Sequence, residues 1–152
     1  MSTLVGIVTG ASSGIGLAVT EHLLSRGHRV VMADGNANEG EKISAKLGKN
    51  TLFLKTDVTV YAEQAILFRE AFAWGGNRLD FLAANAGIDD RQSLYEVDPP
   101  ENEDGTPKEL NLKTIRVDLD AVFQGIWLFK HYAGKNAIPG GKVMITPPAA
   151  GL

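Results

Sequence analysis

Eight residues near the N-terminus, Thr9-Gly10-Ala11-Ser12-Ser13-Gly14-Ile15-Gly16, set three glycines and two serines directly after a short apolar run. Glycine lets a backbone approach its ligand closely. Where such a turn opens a helix, unpaired N–H groups and the positive end of the helix dipole attract phosphate. Gly10, Ser12, Ser13, Gly14, Ile15 and Gly16 are therefore candidates to hold a diphosphate, as a dinucleotide carries. Asp34 stands 18 residues beyond Gly16, at the end of the next apolar run. At that separation a carboxylate accepts both hydroxyls of an adenosine ribose and repels a 2′-phosphate. The turn that follows, Gly35-Asn36-Ala37-Asn38, has no Arg or Lys, and Ser13 occupies the place where a basic residue could assist. NAD is thus expected, with NADP less favoured. Taken singly, an ordinary βα turn and a solvated turn aspartate explain the same residues; their combined order favours a ligand.

The elements that must position these groups alternate between two periodicities. Leu4–Val8 is a continuous apolar run, as a parallel strand covered on both faces should be. Gly14–Arg26 reads as a helix with Ile15, Ala18, Val19, His22 and Leu23 on one face and Gly27 just past its end. Arg29–Ala33 is a second strand, Asn38–Leu47 a second helix and Thr51–Leu54 a third strand. Tyr61, Ala65, Phe68 and Phe72 mark the core stripe of a third helix ending at Gly75-Gly76. Phe81–Ala84 is a fourth strand. Residues 88–108 turn acidic and proline-bearing, as a surface loop does. A long helix, Leu110–Tyr132, carries Ile115, Leu119, Val122, Ile126 and Phe129 on one stripe and Phe123 and Trp127 on a second apolar side. Lys142–Thr146 is a fifth strand. Alternation of this kind means βαβ units, right-handed crossovers and a parallel sheet. The expected class is α/β, a three-layer doubly wound Rossmann-type sheet of about five strands, in one domain over residues 1–152.

Composition narrows the function further. With 152 residues, 44% hydrophobic and 22% charged, the chain has globular proportions. A net charge of −3 supplies no basic field for nucleic acid or anionic lipid. The absence of cysteine excludes thiolate chemistry and Cys-based zinc sites. No Asp/Glu/His set has metal-ligand spacing, so no metal is expected. His22, His28 and His131 read as solvated or half-packed. The N-terminus has neither a signal peptide's basic flank nor a membrane-length apolar run, so a cytoplasmic protein is expected.

The spacing Thr-Gly-x-x-x-Gly-x-Gly resembles the short-chain dehydrogenase/reductase family, and further matches follow in chain order. Asp57-Val58 after the third strand looks like the family's adenine contact. Asn85-Ala86-Gly87 looks like its Asn-Asn-Ala-Gly signature, with Ala84 in place of the first Asn. Within the family, Val31–Asn36 and Gln124–Gly141 look most like the NAD-dependent 15-hydroxyprostaglandin dehydrogenase branch. The resemblance implies hydride transfer between a nicotinamide and an alcohol or ketone, by a Tyr whose pKa a Lys lowers and a Ser that orients the substrate oxygen. It also marks departures. The family's Val-Asn-Leu is here Val117-Asp118-Leu119, which makes Asp118 the one matching candidate for a catalytic position. Aligned on Ala-Gly, Pro148 stands at the Ser position, and the sequence ends at Leu152 before a Tyr-x-x-x-Lys pair. Tyr61, Tyr95 and Tyr132 offer no replacement. The expectation is a cofactor-binding half with impaired or no turnover, or else a non-catalytic NAD-binding partner module. The family's strand order implies an incomplete sheet here, 3-2-1-4-5, with Val143–Thr146 as an open strand edge, and a homo-oligomer or partner could pair through the Phe123/Trp127 side of the long helix.

Overall fold

The computed structural model describes residues 3–89 and 97–146. Five parallel strands form one sheet in the order β3-β2-β1-β4-β5, with β1 at Val5–Thr9, β2 at Arg29–Asp34, β3 at Thr51–Lys55, β4 at Phe81–Ala84 and β5 at Lys142–Ile145. Every residue of β1 is buried, because helices cover both of its faces. Those helices are α1 (Gly14–Ser25), α2 (Ala37–Leu47), α3 (Tyr61–Trp74), the short α4 (Lys113–Ile115) and α5 (Ala121–Ala133). A π-helical segment, Arg116–Asp120, joins α4 to α5 without a break in the chain's helical path. One core layer joins Ile7, Val31, Leu67, Phe68, Leu82, Leu128 and Phe129; on the other side of the sheet Val8, Val30, Met32 and Ala83 pack under α1 and α2. The α/β doubly wound class and the five strands are those the alternation implied, and the strand order is the one the family resemblance implied.

Several boundaries and faces differ from the sequence reading. β1 begins at Val5 and includes Thr9, since Thr9 still pairs with Ala33 of β2. Asn36 caps α2, its side chain accepting from Glu39 N, so that helix starts at Ala37. On α1, Ile15, Ala18 and His22 face out, while Gly16 and Thr20 are buried and Val19 and Leu23 half-buried. Tyr61 is 50% exposed rather than part of a core stripe; Gln64, Leu67, Phe68 and Ala71 face inward instead. The long helix begins at Lys113 rather than Leu110, and its π turn inserts extra rotation. Ile115 and Leu119 consequently face solvent, although both belong to a regular 3.6-residue stripe with the buried Phe129.

Among the described residues β5 is the outermost strand at its end of the sheet. All four residues of β5 are exposed, and Phe123 and Trp127 stand 64% and 65% exposed. Among the described residues, no helix is long and apolar enough to cross a membrane. Tyr95 and the stretch Pro147-Pro148-Ala149-Ala150-Gly151-Leu152 lie outside the described residues.

Candidate functional site

A cleft of about 830 Å³ opens at the C-terminal ends of the strands, where β1 and β4 diverge. Ligands of open α/β sheets bind at such a switch point, since the crossovers leave on opposite faces there. Gly10, Ser13, Gly14, Ile15, Asp34, Asp57, Val58, Asn85, Ala86 and Gly87 all line it. Residues from four separate chain segments, chosen by type and spacing, are thus brought to one opening.

The turn between β1 and α1 has the geometry a diphosphate needs. Gly14 has φ +51° with open space where a Cβ would be, so the backbone itself forms the cleft wall. Gly16 is the opposite case: a Cβ there would lie 2.1 Å from Gly10 O, so only glycine lets α1 start so close to β1. No side chain caps α1, and its opening residues Gly14 and Ile15 line the cleft. Ser12 Oγ is buried without a hydrogen-bond partner, and Ser12 itself lies behind the rim rather than in it. An uncapped helix start, a glycine-walled turn and an orphan hydroxyl fit a phosphate-bearing ligand.

Asp34 and this turn form one unit. Ser12 N donates to Asp34 Oδ2 at 3.0 Å, and Asn36 N donates to Asp34 Oδ1 at 2.9 Å. The carboxylate is therefore held in place, with acceptor capacity left on both oxygens. Across the cleft, Asp57 Oδ1 accepts from Thr59 Oγ1 at 2.7 Å and from Thr59 N at 2.9 Å. The Thr59 hydroxyl foremost, then its amide, holds the Asp57 carboxyl below the usual carboxylate range, with Lys113 and Lys55 adding weaker attraction.

The loop after β4 is fixed from two sides. Thr9 Oγ1 accepts from Asn85 N and Ala86 N, each at 3.0 Å. Asp118 Oδ1 accepts from Ile88 N at 3.0 Å, while Asp118 Oδ2 is buried without a partner. Asp118 lies in the π segment behind Gly87, where a Cβ on Gly87 would sit 3.4 Å from Oδ1. Asp118 and Gly16 thus shape the cleft without lining it.

Thr9, Gln64, Lys55 and Lys113 were not singled out by sequence reasoning. Thr9 opens the glycine motif and had a visible signal; its neighbours Asn85 and Ala86 are more than 70 positions away. Lys55 and Lys113 line the cleft but carry no local signal, because only the crossover brings Lys113 opposite Asp57. Tyr61 and Tyr132 border a separate groove between α3 and α5, away from this cleft.

Comparison with known proteins gives the family. The family described as short chain dehydrogenase matches residues 5–142, and the chain belongs to that family. It is 32% identical to the short-chain dehydrogenase/reductase prx6 of Penicillium rubens, covering 93% of this chain and 51% of that protein. It is also 32% identical to 15-hydroxyprostaglandin dehydrogenase [NAD(+)] of Rattus norvegicus, covering 97% and 51%. A solved short-chain dehydrogenase/reductase of Burkholderia phymatum in complex with NAD shares the fold, with TM-score 0.77, 24% identity, and coverage of 95% of this chain and 48% of that one. The chain spans about half the length of the curated relatives it matches.

Proposed function

We propose that this chain binds NAD, as the cofactor half of a short-chain dehydrogenase/reductase that moves hydride between nicotinamide and an alcohol or ketone. The observation that carries the reading is the tie from Ser12 N to Asp34 Oδ2, 3.0 Å. That contact supports reading Asp34 as the carboxylate that selects the ribose beside a diphosphate turn. Gly10, Ser13, Gly14 and Ile15 would hold the diphosphate, Asp34 the adenosine ribose, Asp57 and Val58 the adenine side. Asn85, Ala86 and Gly87 would form the nicotinamide side. When bound, NAD supplies the carbon that accepts or releases hydride. Asp34 excludes a 2′-phosphate by charge, which favours NAD over NADP. NAD in the names of the relatives and in the Burkholderia phymatum complex supports the same choice.

Turnover is a separate matter. Asp118 is the described residue at the family's helix position, and its acceptor-only carboxylate holds Ile88 N instead of offering an amide donor. The reading is therefore of a chain that binds cofactor and by itself turns over slowly or not at all. A cytoplasmic location, the substrate class and pairing of copies through the exposed Phe123/Trp127 side of α5 belong to the same proposal.

Calorimetric titration with NAD and NADP tests it. NAD is expected to bind more tightly, and Asp34→Ala to weaken NAD by about 10-fold while affecting NADP less. Equal losses for both cofactors would contradict the ribose role. Incubation with NAD and secondary alcohols, and with NADH and ketones, reads turnover: a nicotinamide-dependent rate abolished by Gly14→Val would show a competent enzyme, whereas NAD binding without rate would show the cofactor half alone.

A further inference from the structure

Gln64 lies on the buried face of α3 at 3% exposure, beside Leu67, Phe68 and Ala71. An amide on such a face is unfavourable unless its donors are used. Here Nε2 donates to Val58 O at 2.6 Å and to Ala121 O at 3.1 Å. Val58 lines the cleft, on the side assigned to adenine. Ala121 is the first residue of α5, immediately after the π segment that carries Asp118. Both acceptors are main-chain carbonyls, so the bridging group must bring two protons. A carboxylate brings none, and an apolar side chain leaves both carbonyls unpaired.

Packing around this bridge is close on one side and thin on the other. A Cβ on Gly125 would lie 3.3 Å from Gln64 Oε1, so α5 passes directly against the amide. On the side toward the cleft, a cavity of about 10 Å³ separates Gln64 from Thr9, Ala86 and Val117, room for about one water. The two hydrogen bonds thus tie the loop after β3 directly to the start of α5.

We infer that Gln64 is a positioning residue that couples the two ends of the cleft. The coupling runs from Val58 O through the Gln64 amide to Ala121 O, along the π segment to Asp118, and from Asp118 Oδ1 to Ile88 N at 3.0 Å. Ligand at the adenine side thereby orders the helix that holds the loop at the nicotinamide side. This rests on the nucleotide reading above.

Hydrogen–deuterium exchange of the full chain with AMP, which carries no nicotinamide and so leaves that side of the cleft empty, tests the coupling. Residues Ala121 to Gly125 do not line the cleft, yet their amides should exchange at least about 3-fold more slowly when AMP is bound. Gln64→Met keeps side-chain volume; it should abolish that slowing and weaken NAD binding about 5- to 10-fold. AMP binding that leaves the exchange of these amides unchanged overturns the inference while the nucleotide reading stands. Failure of the wild-type chain to bind either AMP or NAD overturns both. Should Gln64→Met not fold, Gln64→Asn, whose shorter side chain keeps the amide but cannot span both carbonyls, takes its place: it should lose the slowing, and an unchanged slowing overturns the inference. A merely structural Gln64 would lower the variant's melting temperature but leave its exchange response to AMP intact, and that result also overturns the inference.

Discussion

Thr9 and Asn85 hold each other reciprocally across the ends of β1 and β4. Thr9 Oγ1 accepts from Asn85 N at 3.0 Å, and Asn85 Nδ2 donates to Thr9 O at 3.1 Å. Ala86 N is a second donor to the same hydroxyl, at 3.0 Å. The splayed strand ends that open the cleft are thus pinned by one buried side chain. Thr9→Val keeps the shape and removes the acceptor of two amides, so it should destabilise the fold by about 2 kcal/mol. Denaturant titration checks this, with Thr9→Ser, which retains the hydroxyl, expected to recover most of the loss.

The two glycines of the turn should separate binding from folding. A Cβ at Gly16 meets Gly10 O at 2.1 Å, a backbone atom that cannot swing aside. Gly16→Ala is therefore expected to cost about 3 kcal/mol of stability. At Gly14 the space is open and only the φ of +51° resists a side chain, so Gly14→Ala should cost about 1 kcal/mol. Because that methyl group projects into the cleft wall, Gly14→Ala should nonetheless weaken NAD binding about 10-fold. Thermal melts and NAD titrations on both variants would show the dissociation of the two effects.

Asp57 gives the site a pH dependence of known sign. Its carboxyl is held below the usual range by the Thr59 hydroxyl and amide. A depressed folded-state pKa contributes stability that is present above the unfolded value, about 3.9, and is lost as pH falls through the lower folded value. Asp57→Asn should therefore lower stability by a constant amount above pH 5 and flatten the loss on the acid side of pH 4, where the two curves converge. Urea melts at stepped pH from 6 to 3 measure this.

Asp118 carries one buried oxygen without a donor. Asp118→Asn keeps the acceptor for Ile88 N and removes charge from that buried place. A gain of about 1 kcal/mol, or about 3 °C in melting temperature, is expected. Asp118→Ala, which abandons Ile88 N, should instead destabilise. Calorimetric melts of the two variants distinguish a carboxylate kept at some cost from one that stabilises the loop.

What the chain order determined unaided was the alternation of strands and helices, hence the parallel sheet, and the glycine turn with Asp34; the strand order came with the family resemblance. These rest on short-range rules. Apolar runs of strand length must be covered on both faces, and a phosphate turn needs its glycines within a few residues. Three-dimensional packing decided the remainder. The π turn at Arg116–Asp120 rotated Ile115 and Leu119 to solvent, because one extra residue per turn breaks a stripe that periodicity alone continues. Tyr61 faced out and Gln64 faced in, because α3 turns toward two carbonyls whose positions depend on α5 and the loop after β3. The partnerships of Thr9 with Asn85 and of Lys113 with Asp57 join segments dozens of residues apart. No local pattern encodes such pairs; they arise where the crossovers set the strand ends side by side.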